Sequence, residues 1–322
     1  MKNEEKKPLV SIIIPVYNGS NYMKEAIDSA LCQTYEKIEV IVINDGSNDN
    51  GETEKIALSY GNKIRYYSKK NGGVSSALNL GINKMKGEYF SWLSHDDKYK
   101  PQKIEKQIDL IRKYNINKML ALCNTQQINQ NSKEIIGNNK QRTLSTQKIT
   151  NWDDAIATLF KNGCFNGCGL LIPKIAFKEA GLFDETLVFS QDLLMWLKIF
   201  FNKYSLVYDS EKLVYSRIHD QQVTRTKKEI ASKENNYIAN IILKKIIECS
   251  NDNNKLFYNY IKSNAKHNEL EIVKKCFQLN KTNKIIKMHE IIVIYVMLAY
   301  GKLRPKIKKI YYRIFKGISI KD

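Results

Sequence analysis

Blocks of apolar residues separated by polar turns run through the chain to about residue 125. Val10–Pro15 (VSIIIP) and Ile38–Ile43 (IEVIVI) are near-continuous apolar runs, the pattern of strands buried on both faces. Ile64–Tyr67, Tyr89–Leu93 and Met119–Cys123 are shorter runs that also read as strands. Between them the apolar spacing becomes helical. Tyr22, Ala26, Ile27, Ala30 and Leu31 form one stripe, with Ser20 or Asn21 placed to cap it. Leu78, Leu80, Ile82 and Met85 form another behind Ser75, ended by Gly87. A polar helical stretch reaching about Tyr60 and a helix over Gln102–Tyr114, with Ile104, Ile108 and Ile111 inward, complete the alternation.

Alternating strands and helices predict an α/β fold, a mostly parallel sheet with helices on both faces. Ligands of such sheets bind beyond the carboxyl ends of the strands. Four polar clusters fall at those ends: Tyr17-Asn18, Asp45-Gly46-Ser47, Asn71-Gly72-Gly73 and Asp96-Asp97. Each alone is an ordinary turn, but four on one rim predict a binding site. The last cluster is the most informative. Adjacent carboxylates repel, and they become favourable when a divalent cation and a phosphorylated ligand lie between them. The alternative role is an acidic turn ahead of Pro101. No G-x-G-x-x-G follows the first strand and no G-x-x-x-x-G-K-[ST] occurs, so neither a nicotinamide-type fingerprint nor a P-loop receives the phosphates. A metal on carboxylates, or basic side chains, has to do so.

Further along the pattern weakens. Residues from about Asn124 to Asn162 are polar and carry no readable code. Gly167–Pro173 predicts a strand and Ile175–Ala180 a short helix stopped by Gly181. Ser190-Gln191-Asp192 opens a helix whose Leu193, Trp196, Leu197 and Phe200 face a core, so Trp196 is expected inside rather than on an acceptor platform. Asp192 there serves either the helix dipole or a proton transfer. Lys212–Arg217 predicts a strand leading to His219.

Charge adds a separate theme. The 322 residues carry a formal net charge of +19. From Thr226 onward 21 Lys/Arg face 8 Asp/Glu, and Lys302–Lys316 holds seven basic residues and no acidic one. Such a block serves nucleic acid, an anionic membrane surface or solubility. No nucleic-acid reader motif accompanies it. Its Lys/Arg interleave with Ile, Tyr and Phe, which predicts an interfacial helix on a membrane surface, with packing on the α/β domain as the alternative. Glu290–Tyr300 is apolar but too short to span a bilayer. The opening MKNEEKKP has no apolar run, so no signal peptide is expected, and the six scattered cysteines are expected as free thiols of a reducing, cytoplasmic compartment. Cys164 and Cys168 lack the second pair that a zinc site needs.

From about residue 8 to 225 the ordered motifs VSIIIPVYNGSNYMKEAIDSALCQTY, IEVIVINDGSND, NGGVSSALNLGI, WLSHDDKYKPQKIEKQ, SQDLLMWLKI and YSRIHDQQVT resemble the family 2 glycosyltransferases of GT-A fold. The resemblance implies an inverting enzyme that moves a sugar from a nucleotide-diphospho-sugar, a UDP-sugar being favoured, to a hydroxyl of a glycan or lipid-linked acceptor. Surface polysaccharide, lipopolysaccharide or capsule synthesis is the implied setting, at the inner face of the cell membrane. It implies a domain over 1–225 (donor half about 8–124, acceptor half about 125–225) and a helical basic extension over 226–322. On this resemblance Asp45 holds the nucleoside. Pro15, Val16 and Tyr17 shape the base pocket, with Asn71 and Gly73 near it. Asp96 and Asp97 bind Mg²⁺ or Mn²⁺ bridging the donor diphosphate, and Asp192 takes the proton from the acceptor hydroxyl. His219 is either a diphosphate or metal contact or a strand-end histidine. Two departures stand out: Ser94 occupies a place where many members have Asp, and Gln191 one that is often Glu, which removes a negative charge able to raise the pKa of Asp192. A catalytically inactive sugar-nucleotide-binding relative and a basic nucleic-acid-binding protein are the alternatives. A nucleotidyltransferase on a related fold would need a Gly-rich, Arg-bearing loop that PVYNGSNY lacks.

Overall fold

The computed structural model describes residues 7–136, 148–162, 164–219, 228–248, 254–266 and 270–283, with 287, 291 and 294. It divides into two compact units, Met1–Ala155 with Asn162–Glu234, and Ile156–Lys161 with Asn235–Asp322.

The first unit is built on β1 (Val10–Val16), β2 (Ile38–Asn44), β3 (Arg65–Ser68) and β4 (Tyr89–Trp92), parallel in the order β3-β2-β1-β4. Helices α1 (Met23–Leu31), α2 (Glu52–Leu58) and α3 (Gly73–Lys84) make the crossovers. Ile12, Ile13, Ile14, Ile41, Val42 and Ile43 are completely buried, as strands covered on both faces require. The chain steps from β1 outward to β2 and β3, then returns to lay β4 on the other side of β1. Loops leaving β1 and β4 therefore diverge, and a crevice opens at their carboxyl ends.

Beyond β4 the sheet changes character. It continues through β8 (Leu170–Pro173), antiparallel to β4, then β6 (Met119–Ile128), then β9 (Ser205–Arg217), parallel to β6. β5 (Lys98–Tyr99) and β7 (Lys148–Thr150) pair antiparallel with β9. The expected parallel arrangement thus describes β1–β4, and the second half is mixed. Helices α4 (Lys103–Tyr114), α5 (Trp152–Asn162), α6 (Lys174–Ala180) and α7 (Gln191–Phe201) accompany it. Trp196 on α7 is fully buried and donates its indole N–H to Phe165 O at 3.2 Å.

Two boundaries differ from the expected ones. β9 begins at Ser205, its buried Leu206 and Val207 paired with Leu120 and Ala121, and β6 runs on past Cys123, where polar side chains bond across the pairing. Asn124 Nδ2 donates to Ser210 O at 2.8 Å and Lys212 Nζ to Gln126 Oε1 at 2.8 Å. Asn124, Thr125 and Gln126 are all buried, which hydropathy alone does not anticipate.

The second unit contains the greater part of α8 (Lys228–Glu248), with α9 (Asn254–Lys266) and α10 (Leu270–Asn283). Ile238, Ile242, Ile246, Phe257, Ile261 and Cys276 are buried, and Phe160 packs its ring 4.9 Å from that of Tyr260. Among the described residues no helix is long and apolar enough to cross a membrane. The basic Lys302–Lys316 stretch, most of Glu290–Tyr300, and the end of the YSRIHDQQVT motif after His219 lie outside the described residues.

Candidate functional site

The polar rim expected from sequence forms around the ends of β1 and β2. Asp45 N–H donates to Val16 O at 2.8 Å, extending the ladder past the last strand residue. Asn18, with φ of 49°, and Asn48 bond reciprocally, Asn18 Nδ2 to Asn48 Oδ1 at 2.7 Å and Asn48 N to Asn18 Oδ1 at 2.8 Å. Pro15 and Val16 are buried and Tyr17 is exposed. The Asp45 carboxylate is buried and occupied. It accepts from Lys69 Nζ at 2.7 Å, Gly72 N at 3.0 Å and Gly73 N at 2.7 Å, while Asn71 Nδ2 donates to Asp45 O at 2.9 Å. Asp45 therefore organises the loop carrying Asn71 and Gly73. Gly46 is required here twice over: its φ is +70°, and a Cβ would stand 2.6 Å from Asn71 N.

After β4 the two adjacent aspartates separate in role. Asp96 is partly accessible, and its Oδ2 lies 3.0 Å from His219 Nε2 across 123 residues of sequence. The anchor is Arg217 at the end of β9, completely buried. Its Nε donates to Asp96 O at 2.8 Å, and its guanidinium meets Asn129 O, Gln130 O and Ser132 Oγ. It also stands 4.4 Å from the centre of the Tyr22 ring, which contacts His219 at 5.4 Å. Glu25 on α1 completes the brace. Burial would raise its carboxyl, but Ser132 at 2.6 Å, Lys98 at 2.9 Å and Arg217 at 3.2 Å hold it down at about 2.

Asp97 points elsewhere. Its Oδ1 accepts the backbone N–H of Arg217 at 2.9 Å, and the Cys168 thiol also hydrogen-bonds it. Burial, with Asp96 adjacent, pushes its carboxyl well above the usual carboxylate range, against those two hydrogen bonds. The expected pair of metal ligands is thus not a pair in geometry: Asp97 is buried against β9, and the partner facing Asp96 is His219. Ser94, at the place where an acid was missed, contacts the Cys168 thiol through its Oγ at 3.4 Å.

Among the described residues no three His, Cys, Asp or Glu side chains converge as a metal site. Asp96 with His219 nevertheless fits a cation whose remaining ligands come from phosphate and water. The 3.0 Å between Oδ2 and Nε2 is a hydrogen bond in this structure, and the Asp96 carboxylate is the oxygen donor that such an ion takes together with phosphates and water.

Asp192 is in the first turn of α7. Its Oδ1 accepts from Leu193 N at 2.7 Å, and the Cys164 thiol hydrogen-bonds its carboxylate. Burial raises its carboxyl above the usual range despite these bonds, and the negative charge of Glu234 raises it further. The neighbouring charge that Gln191 fails to supply therefore comes from α8. The segment between Cys164 and Cys168 touches both acid groups, one thiol on Asp192 and the other on Asp97.

Arg217, Glu25, Tyr22, Lys69, Cys164, Cys168 and Glu234 are site-shaping residues that the sequence reading missed. Arg217 had a signal, being inside YSRIHDQQVT. Tyr22 and Glu25 likewise lie inside VSIIIPVYNGSNYMKEAIDSALCQTY, whereas Lys69, Cys164, Cys168 and Glu234 had no signal, since each depends on which distant side chain folds against it.

Comparison with known proteins places the chain among its relatives. Residues 11–166 match the family described as Glycosyl transferase family 2. An uncharacterized glycosyltransferase of Rickettsia typhi is 51% identical over 226 residues, covering 70% of this chain and 69% of that one. The chondroitin synthase of Pasteurella multocida is 47% identical over 100 residues, 30% of this chain and 10% of that protein. The crystal structure of S. aureus TarS 1–349 in complex with UDP-GlcNAc shares the fold at a TM-score of 0.63 and 19% identity, covering 80% of this chain and 72% of that one.

Proposed function

The chain belongs to glycosyl transferase family 2 and has its GT-A fold, and from that premise we propose that it is a metal-dependent, inverting enzyme using a nucleotide-diphospho-sugar. The observation that carries this reading is the convergence of Asp96 Oδ2 and His219 Nε2 to 3.0 Å at the switch-point crevice. Asp96 and His219 are the residues that would hold Mg²⁺ or Mn²⁺. When bound, the cation supplies electrostatic stabilisation of the departing nucleoside diphosphate. Tyr17, Asn18, Asp45 and the Lys69–Gly73 loop form the nucleoside side, with Pro15 and Val16 beneath. A UDP-sugar is the favoured donor, supported by the UDP-GlcNAc complex of TarS.

Asp192 is the base. The acceptor hydroxyl oxygen bonds to the anomeric carbon as the bond to the diphosphate oxygen breaks. The hydroxyl proton passes to the Asp192 carboxylate and the bonding electrons leave with the diphosphate. Attack from the face opposite the leaving group inverts the anomeric centre. A glycan or lipid-linked acceptor in surface polysaccharide synthesis suits the likeness to chondroitin synthase. The basic residues after Gly301 suit attachment to an anionic membrane surface.

The test is a screen of nucleotide sugars, UDP-sugars first, for Mn²⁺- or Mg²⁺-dependent nucleoside diphosphate release, with the product anomer read by NMR. Asp96→Ala is expected to lower turnover by about 10²-fold or more. No turnover with any donor, full activity in Asp96→Ala, or a retained anomeric configuration would each overturn the corresponding part.

A further inference from the structure

Helix α7 begins without a side-chain cap: Ser190, its N-cap residue, makes no capping hydrogen bond of its own. The backbone donors of the preceding turn are instead taken by one carboxylate. Glu234 Oε1 accepts from Val188 N at 2.7 Å and Phe189 N at 3.3 Å, and its Oε2 from Phe189 N at 3.0 Å and Ser190 N at 2.7 Å. Three consecutive N–H groups around one anion form a nest, a strong and directional arrangement. Glu234 is buried, so these bonds are little diluted by water. The turn it grips ends two residues before Asp192.

We propose that Glu234 is a positioning residue for Asp192, fixing the 188–190 turn so that the base is presented in one orientation. Resting on the reading of Asp192 as base, the proposal makes the first turns of α8, beyond the matched family segment, a working part of the transferase site. Glu234 acts in two ways. Its oxygens fix the backbone from which Asp192 projects. Its charge also favours the protonated carboxyl. Among the described residues, the titratable groups that act on Asp192 are the Cys164 thiol, by a hydrogen bond, and Glu234, by its charge, with the amides of Asp192 and Leu193 as further donors.

Glu234→Gln in the full chain tests the proposal without deleting the side chain. A glutamine presents an NH₂ where Oε1 or Oε2 now accepts, so at least one of the three amides loses its partner. Three results are expected. Hydrogen exchange of the peptide covering 188–193 accelerates, while that covering 94–99 does not. Binding of Mn²⁺ and UDP stays within about twofold, and kcat falls about 10- to 100-fold at nearly unchanged donor KM, the loss that a small misplacement of a catalytic group brings. The acid limb of the kcat profile moves to lower pH, because removing a neighbouring anion lowers the Asp192 pKa. Adding Gln191→Glu to Glu234→Gln restores the limb but not the amide protection.

Wild-type kcat with an unmoved acid limb in Glu234→Gln, despite faster exchange, would reduce Glu234 to a structural cap and overturn the proposal alone. Wild-type transfer by Asp192→Asn would overturn the base reading and this proposal with it. A merely loosened fold would instead lower kcat, raise donor KM and leave the limb in place, which also counts against it.

Discussion

The donor rim and the base segment each centre on a carboxylate gripping backbone amides, but the grip runs in opposite directions. On the rim the gripping group is itself a candidate ligand contact: Asp45, just after β2, holds Gly72 and Gly73, 28 residues away at most, in the turn that leads from β3 into α3. In the base segment the gripping group is remote. Glu234 reaches back 46 residues to Val188, and Asp192 is positioned rather than positioning. The donor side is therefore self-contained within the parallel βα units, whereas the base side depends on a helix that follows the whole sheet. A nucleotide site assembled locally can recur in many chains. A part assembled from remote helices can vary without disturbing it, and on the proposed reading the same division puts donor binding in one half of the unit and proton transfer in the other.

The sharpest way to break that division is at Asp192. Asp192→Asn keeps size and the Leu193 hydrogen bond while removing the base, and transfer is expected to fall about 10²- to 10⁴-fold. Affinity for UDP with Mn²⁺, measured by calorimetry, should stay at the wild-type value. A matching loss of nucleotide affinity would mean that the two halves are not separable. The converse change is Asp45→Asn. An amide cannot accept from Lys69, Gly72 and Gly73 together, and bonds to a charged group contribute about 1.5–3 kcal/mol each. The Lys69–Gly73 loop should loosen and donor KM rise about tenfold, with kcat at saturating donor altered far less. A fall in kcat alone would put Asp45 in the chemistry rather than in the cradle.

The same contrast explains what could be read from the sequence. β1, β2 and β4 announce themselves as apolar runs, and their polar ends fall on one rim because parallel strands share a direction. Asp45 and Asp96 are legible for that reason. That Asp97 turns inward is not legible, since adjacent acids look alike until Arg217 N–H and Cys168 claim one of them. His219 could be seen only as ambiguous, because its meeting with Asp96 depends on where β9 ends. The apolar pattern of β6 stops at Cys123 because its later residues are polar, with side chains that bond across to β9. Glu234 was invisible altogether: within a basic helical stretch, one glutamate reads as solvated surface.

Where the two halves join, α4 supplies the smallest and most specific test. β8 pairs only two residues with β4 and two with β6, so this seam is thin. Side chains of α4 reinforce it. Gln107 Nε2 donates to Gly169 O at 2.8 Å, and Lys103 Nζ donates to Ser91 Oγ on β4 at 2.6 Å and to Leu170 O on β8 at 3.3 Å. Lys103 is completely buried, its Nζ 4.2 Å from the centre of the Tyr99 ring, and burial lowers its ammonium to about 8. In the unfolded chain a lysine titrates at about 10.4. Between these values the unfolded state binds more protons, so stability rises with pH across that window, and the cost of burying the charge is fully present below it. Lys103→Met keeps the length of the side chain and removes the titration. Between pH 8 and 10 the wild type should therefore gain about 2 kcal/mol relative to Lys103→Met in urea unfolding, while turnover at pH 7.5 changes little. Parallel stability profiles for the two proteins would show that Lys103 stays charged in the fold, and that the seam between donor and base halves is held by an ion rather than by a neutral amine.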